Sequence, residues 1–159
     1  MRRERTSVGK QKVLAVVDGS ERTGRVLEHL LKLAANGLQM NVVVLNVQPA
    51  PEDWRLRGYI SFKADEIWDR LVNDLGTPVV KGVARRLADA GIAHSEVVEL
   101  GSFTESILKC QAEADCDWIV VSDRHPYALR RLALRLFGMS LSEACELAQL
   151  AKVPVVIVK

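Results

Sequence analysis

The chain has 159 residues, of which 48% are hydrophobic, 26% charged and 5% aromatic, enough apolar material for one core and too little length for two ordinary domains. A formal net charge of +2, with 10 Gly and 5 Pro, excludes a disordered, collagenous or low-complexity chain. A core of Val, Leu, Ile and Ala in place of rings suits an α/β protein.

The near-neutral charge hides two basic segments. Residues 1–12 hold Arg2, Arg3, Arg5, Lys10 and Lys12 against Glu4, and residues 124–135 hold Arg124, Arg130, Arg131 and Arg135 with no acid. Two short segments do not make the broad basic face of a nucleic-acid protein, so nucleic acid is not an expected partner. Residues 1–11 are expected to form a disordered basic tail and 12–159 a single domain. Cys110, Cys116 and Cys145 form no C-x-x-C pair, which suits a reducing compartment and offers no structural metal site. No apolar run approaches the ~20 residues that cross a bilayer, so a cytoplasmic protein is expected.

Taken in order, Val13, Leu14, Ala15, Val16 and Val17 read as a buried strand closed by Asp18, Gly19 and Ser20. Ser20 can cap a helix whose apolar positions Val26, Leu27, Leu30, Leu31 and Ala34 recur at three-and-four spacing before Gly37. A second apolar run, 42–47, follows as a parallel partner should after a crossover helix. Residues 48–62, with Pro49, Pro51, Trp54 and Gly58, read as a long loop and the first place to look for a lid. Ile67, Trp68, Leu71, Val72 and Leu75 form a helical stripe, interrupted at Gly76, Thr77 and Pro78, where Thr77 can cap a second helix running to Gly91. The spacing then predicts a strand over 94–100, a helix over 103–114, a strand over 118–121, a helix over 140–151 and a strand over 153–158. That alternation marks an open, doubly wound, five-stranded parallel sheet with helices on both faces. Ligands of such sheets lie beyond the carboxyl ends of the strands, which directs attention to the loops after strands one and four.

In the first of these loops Asp18 delivers a carboxylate to the ligand edge, free to accept a hydrogen bond, and Gly19 permits a tight turn. In the second, Ser122, Asp123, Arg124, His125, Pro126 and Tyr127 lead to Gly138, and Ser140 with Glu143 has the S-x-x-E capping-box spacing of a helix start that can offer amides to a phosphate. His29 and His94 lack partners at metal-ligand spacing and read as structural or surface residues. G-x-S-x-G, G-x-x-x-x-G-K-[ST] and G-x-G-x-x-G are all missing, and Asp18 has no neighbouring acid to hold Mg²⁺ with it. The chain is not expected to be an enzyme.

From Lys12 to Lys159 the chain resembles the universal stress proteins. The resemblance rests on the stretch from Val13 to Ser20 ending in Asp-Gly-Ser, on Asn46 and Val47 where the family commonly has His-Val, on Gly101 to Ile107, on Trp118 to Ser122, and on Ser140 to Ala144 with the terminal Pro154, Val155, Val156, Ile157 and Val158. It implies an adenine nucleotide alpha hydrolase-like fold of sheet order 3-2-1-4-5 and a homodimer paired through the fifth strand, between Val153 and Val158. It also implies ATP or AMP as ligand, with Val17, Asp18 and Val47 at the adenine and ribose. A hydrophobic edge strand is itself a reason for pairing.

Nucleotide-holding relatives carry G-x2-G-x9-G-[ST] after strand four. This chain has Ser122 and His125 at the first two glycines, and the spacing to Gly138 is longer. Either Gly138 is the final glycine or Ser140 the final serine, and the capping box favours Ser140. A Cβ at Ser122 and an imidazole at His125 crowd the space where phosphates approach. The expected function is therefore a non-enzymatic stress-response domain with altered adenine-nucleotide binding. Two alternatives stand beside it: an ATP-binding switch or ATPase in which His125 and Arg124 replace the glycine loop, and a ligand-free interaction module acting through loop 48–62.

Overall fold

The computed structural model describes residues 9–49, 62–123 and 143–159. The first eight residues of the expected tail, most of the 48–62 loop with its possible lid, and the segment 124–142 lie outside them. The elements run β1 (Gln11–Val16), α1 (Glu21–Ala35), β2 (Met40–Gln48), α2 (Phe62–Arg70), a π-helical segment (Leu71–Gly76), α3 (Thr77–Asp89), β3 (Ala93–Leu100), α4 (Phe103–Ala114), β4 (Trp118–Ser122), α5 (Glu143–Leu150) and β5 (Val155–Val158). The five strands form one parallel sheet in the order β3-β2-β1-β4-β5, as the sequence and its resemblance lead one to expect.

From Val13 onward β1 is a continuous apolar run, because it is central and covered on both faces. Its Leu14 pairs with Val43 of β2 on one side and with Ile119 of β4 on the other. Side chains alternate between two cores. Val13, Ala15 and Val17, with Val42, Val44 and Val120, pack against Val26, Leu27 and Leu30 of α1 and Val80, Val83 and Leu87 of α3. Leu14, Val16, Val43, Leu45, Ile119 and Val121 pack on the opposite side against Ile107 and Cys110 of α4 and Ala144 and Leu147 of α5. Among the described residues no helix is long and apolar enough to cross a membrane.

The expected helix break at Gly76, Thr77 and Pro78 is absent. Thr77 is helical (φ −58°, ψ −44°) and donates its backbone N–H to the Val72 carbonyl, five residues back, so the chain passes from α2 to α3 through one wide turn. Proline lacks an N–H, and its ring in a regular helix would press on the carbonyl four residues earlier; here that is Asp74, inside the widened turn. A π turn relieves that contact without ending the helix. It also seats Gly76 against the sheet. A Cβ at Gly76 would collide with Val98 Cγ1 of β3 and stand 3.2 Å from Asn46 Oδ1 of β2. Gly19 is similarly close to α3, since a Cβ there would lie 2.8 Å from Val79 Cγ2. The junction of the π segment with α3 therefore lies over the carboxyl ends of β1 and β2, at the ligand edge of the sheet.

Candidate functional site

The turn that follows β1 is built around one carboxylate oxygen. Asp18 Oδ1 accepts hydrogen bonds from the Ser20 N–H (3.0 Å), the Ser20 hydroxyl (2.6 Å) and the Thr23 hydroxyl (3.1 Å). The Thr23 oxygen in turn accepts from the backbone N–H groups of Asp18 (3.0 Å) and Gly19 (2.9 Å). One hydroxyl thus uses its donor and both lone pairs on the same turn. Ser20 is the N-cap of α1 in extended conformation, and its hydroxyl oxygen accepts from the Arg22 N–H at 3.2 Å. The Arg22 guanidinium completes the group, with Nε donating to Ser20 Oγ (3.2 Å) and a terminal nitrogen 3.5 Å from Asp18 Oδ2. Gly19 turns the chain at φ +78°, a conformation that side chains rarely adopt.

This geometry changes the reading of Asp18 as a carboxylate free to accept. Oδ1 is committed to the turn, and Oδ2 is the oxygen that faces a cation. The sequence pointed to Ser20 as a cap, but it did not single out Thr23 or Arg22. A threonine at the third residue after a capping serine is close enough to reach back over the turn, but its spacing is that of an ordinary polar position of the helix.

Val17 lies one residue beyond β1 and is 2% exposed, with its N–H donating to the Leu45 carbonyl at 2.9 Å. Val47 is 9% exposed on β2. Their side chains sit in the two different cores, so a single ligand can meet both only at the rim of the sheet. Ser122 ends β4, is buried, and pairs with Val158 of β5. The β1–β4 pairing ends at Ala15 and Val120, two residues before Val17 and Ser122. Arg124, His125, Gly138 and Ser140 lie outside the described residues.

Beside the Asp18 turn is an open cavity of about 520 Å³ lined by Ser20, Glu21, Arg22, Arg25, Asp123 and Lys159. It sits at the carboxyl ends of β1, β4 and β5, where the winding of the sheet reverses between β1 and β4. Val17, Asp18, Val47 and Ser122 do not line it; Arg22 connects the two, since it touches Asp18 and also forms part of the wall. Three cationic side chains and two carboxylates face this space, together with the amino end of α1, an arrangement able to hold a phosphate-sized anion.

Among the described residues there is no group of three or more His, Cys, Asp and Glu placed to hold a metal ion. Cys110 and Cys116 are buried in the α4 core. Burial, reinforced by the nearby Cys116, pushes the Cys110 thiol up to about 11, and burial also raises Cys116. Both are neutral thiols near neutral pH and poor nucleophiles. His94 Nδ1 lies 2.9 Å from the Ile92 carbonyl, a local contact at the start of β3.

Solved structures match this architecture over nearly its whole length. The hypothetical protein MJ0577 superposes with a TM-score of 0.72 at 21% identity, covering 96% of this chain and 97% of its own. A universal stress protein in complex with cAMP gives 0.66 at 21% identity, covering 94% and 97%. An Arabidopsis thaliana universal stress protein family protein with AMP bound gives 0.63 at 17% identity, covering 94% and 91%. No curated protein sequence matches the chain significantly. The profile of the Universal stress protein family matches residues 10–159, all but the first nine positions, and the chain belongs to that family.

Proposed function

We propose that the chain binds an adenine nucleotide at the carboxyl edge of its sheet and works as a non-enzymatic, cytoplasmic stress-response domain. The observation that carries this reading is the cavity lined by Arg22, Arg25 and Lys159 at the β1–β4 reversal, joined through Arg22 to the Asp18 turn. Relatives of the same fold bind cAMP and AMP, which supports an adenine nucleotide as the ligand class. In this reading Val17, Asp18 and Val47 meet the base and sugar, and Ser122, Arg124, His125, Gly138 and Ser140 belong to the phosphate side. Ser122 and His125 at glycine positions disfavour a tightly wrapped triphosphate. In this reading residues 12–159 form the functional domain, extended at its start by Gln11, which opens β1 and pairs with Met40, and the basic tail lies before it.

Calorimetric titration with ATP, ADP, AMP and adenosine tests the assignment. The expected result is binding of AMP at least as tight as that of ATP, with no tightening on addition of Mg²⁺. Tight, Mg²⁺-dependent ATP binding overturns the altered phosphate side, and absence of any binding overturns the nucleotide reading.

The same reading includes a homodimer through the C-terminal strand. β5 is a short edge of four β-branched residues, all half-buried, paired to β4 along one side. An uncharged edge of this kind favours pairing with a second copy. Sedimentation across micromolar concentrations is expected to give a dimer, and a monomer throughout rejects the proposal.

A further inference from the structure

At the ligand end of β2, the otherwise apolar segment 42–47 contains one amide. Asn46 is 1% exposed, and both ends of its side chain are held. Nδ2 donates to the Val17 carbonyl at 2.7 Å, and Oδ1 accepts from Gln48 Nε2, also at 2.7 Å. The orientation of the amide follows from chemistry, because a backbone carbonyl can only accept and must therefore face the nitrogen. Its partner is the carbonyl joining Val17 to Asp18, the first peptide past β1. Strand pairing holds the other side of Val17 through its N–H on the Leu45 carbonyl. Between them, the backbone of β2 and the Asn46 side chain fix both polar groups of Val17, and the Asp18 turn starts from that anchored peptide.

Gly76 makes room for this arrangement. Its missing Cβ would stand 3.2 Å from Asn46 Oδ1, and the wide turn before α3 brings this glycine to that spot. A buried polar group in an apolar strand is costly unless fully bonded, and here the cost is met by a bond to one specific carbonyl at the site. A core need alone does not require it, since valines fill the neighbouring β2 positions in the same core.

We infer that Asn46 is a positioning residue for the nucleotide site: through its bond to the Val17 carbonyl it fixes the peptide from which the Asp18 turn projects to the ligand. The inference rests on the nucleotide reading above, and its test separates the two. Asn46→Asp keeps the shape but removes the donor, and places a carboxylate oxygen against a carbonyl. Gln48→Ala, at a partly exposed position, leaves Asn46 in place but releases its Oδ1. AMP titration would accompany amide hydrogen exchange on the full chain. Asn46→Asp is expected to weaken AMP binding about tenfold or more, and Gln48→Ala about two- to threefold. In both, exchange should quicken at Asp18 and Gly19 while Leu14, Val43 and Ile119 stay protected, a local pattern that general destabilisation does not give.

If the unaltered protein binds AMP and neither variant changes affinity or exchange, the inference fails while the nucleotide reading stands. Faster exchange at Asp18 and Gly19 without loss of affinity also overturns it, and so does an equal rise across the core strands. If the unaltered protein binds no adenine nucleotide, the nucleotide reading fails first and the positioning role falls with it. Should Asn46→Asp not fold, Gln48→Ala decides by the same two readouts.

Discussion

Gly76→Ala is expected to destabilise the fold by about 1–3 kcal/mol, although alanine favours helices over glycine by about 1 kcal/mol. Two effects oppose each other. Gly76 has helical dihedrals (φ −74°, ψ −50°), so the backbone accepts alanine without strain and the propensity gain is available. The added Cβ, however, meets Val98 Cγ1 at a distance that real structures do not tolerate, with Val98 Cγ2 and Asn46 Oδ1 each at 3.2 Å. Valine is β-branched and stiff at χ1, and it stands on a strand held by the β2–β3 ladder. Asn46 is pinned at both ends. Neither neighbour can swing aside as the far end of a lysine could, so overpacking outweighs propensity. For a chain of this size 1 kcal/mol corresponds to about 2–4 °C, so thermal unfolding should show a fall in Tm of several degrees. An unchanged or higher Tm would mean that the π segment lifts off the sheet easily and that the contact with Asn46 constrains little.

That junction is also where the sequence was least legible. Gly-Thr-Pro is punctuation by every local criterion, and local criteria do not foresee a helix that widens by one residue and carries on. What decides is tertiary: a glycine has to meet Val98 and Asn46, and only a continuous, widened helix delivers it there. The sheet was easier to read because its causes are local. A central parallel strand covered on both faces is apolar along most of its length, and residues 13–17, 42–47 and 118–121 announce themselves on that ground. The strand order came from resemblance, since period and composition do not set the sequence of neighbours in a sheet. β3 is mixed in character because it is an edge, with several of its early residues exposed. At the site, Asp18 and Ser20 were legible from the strand-turn-helix pattern, whereas Thr23 lies within the helix that Ser20 caps and has the spacing of an ordinary polar position. Asn46 stands out as a polar interruption in an apolar run and as part of the family resemblance, but its partner, the Val17 carbonyl, is a backbone group that no side-chain pattern encodes. The cavity brings Lys159 of the chain end near Arg22 and Arg25, a meeting that depends on β5 lying beside β4.

Asp18→Asn and Asp18→Ala should separate the two duties of this residue, and the first is expected to weaken binding without a matching loss of stability. Asparagine keeps an oxygen where Oδ1 receives the Ser20 N–H, the Ser20 hydroxyl and the Thr23 hydroxyl, so the turn and the start of α1 survive. It loses the negative charge facing Arg22. That pair is 3.5 Å apart, with side-chain exposures of 35% for Arg22 and 18% for Asp18, and contacts this exposed contribute about 0–1 kcal/mol. The folded state should therefore lose little. A ligand hydroxyl approaching the other oxygen would meet an amide that is neutral, or turned to present a donor, in place of a carboxylate. A hydrogen bond to a charged group contributes about 1.5–3 kcal/mol, so AMP affinity should fall by roughly one to two orders of magnitude. Alanine removes the same interaction and also leaves Ser20 and Thr23 without their shared acceptor, adding a stability loss of about 0.5–2 kcal/mol, the range for a lost helix cap. Calorimetry and thermal unfolding on the two variants give four numbers for two effects. Asparagine with full AMP affinity would remove Asp18 from the ligand contacts and leave it as the keystone of the β1–α1 turn. Asparagine that unfolds as readily as alanine would instead show that the charge, paired with Arg22, holds the turn.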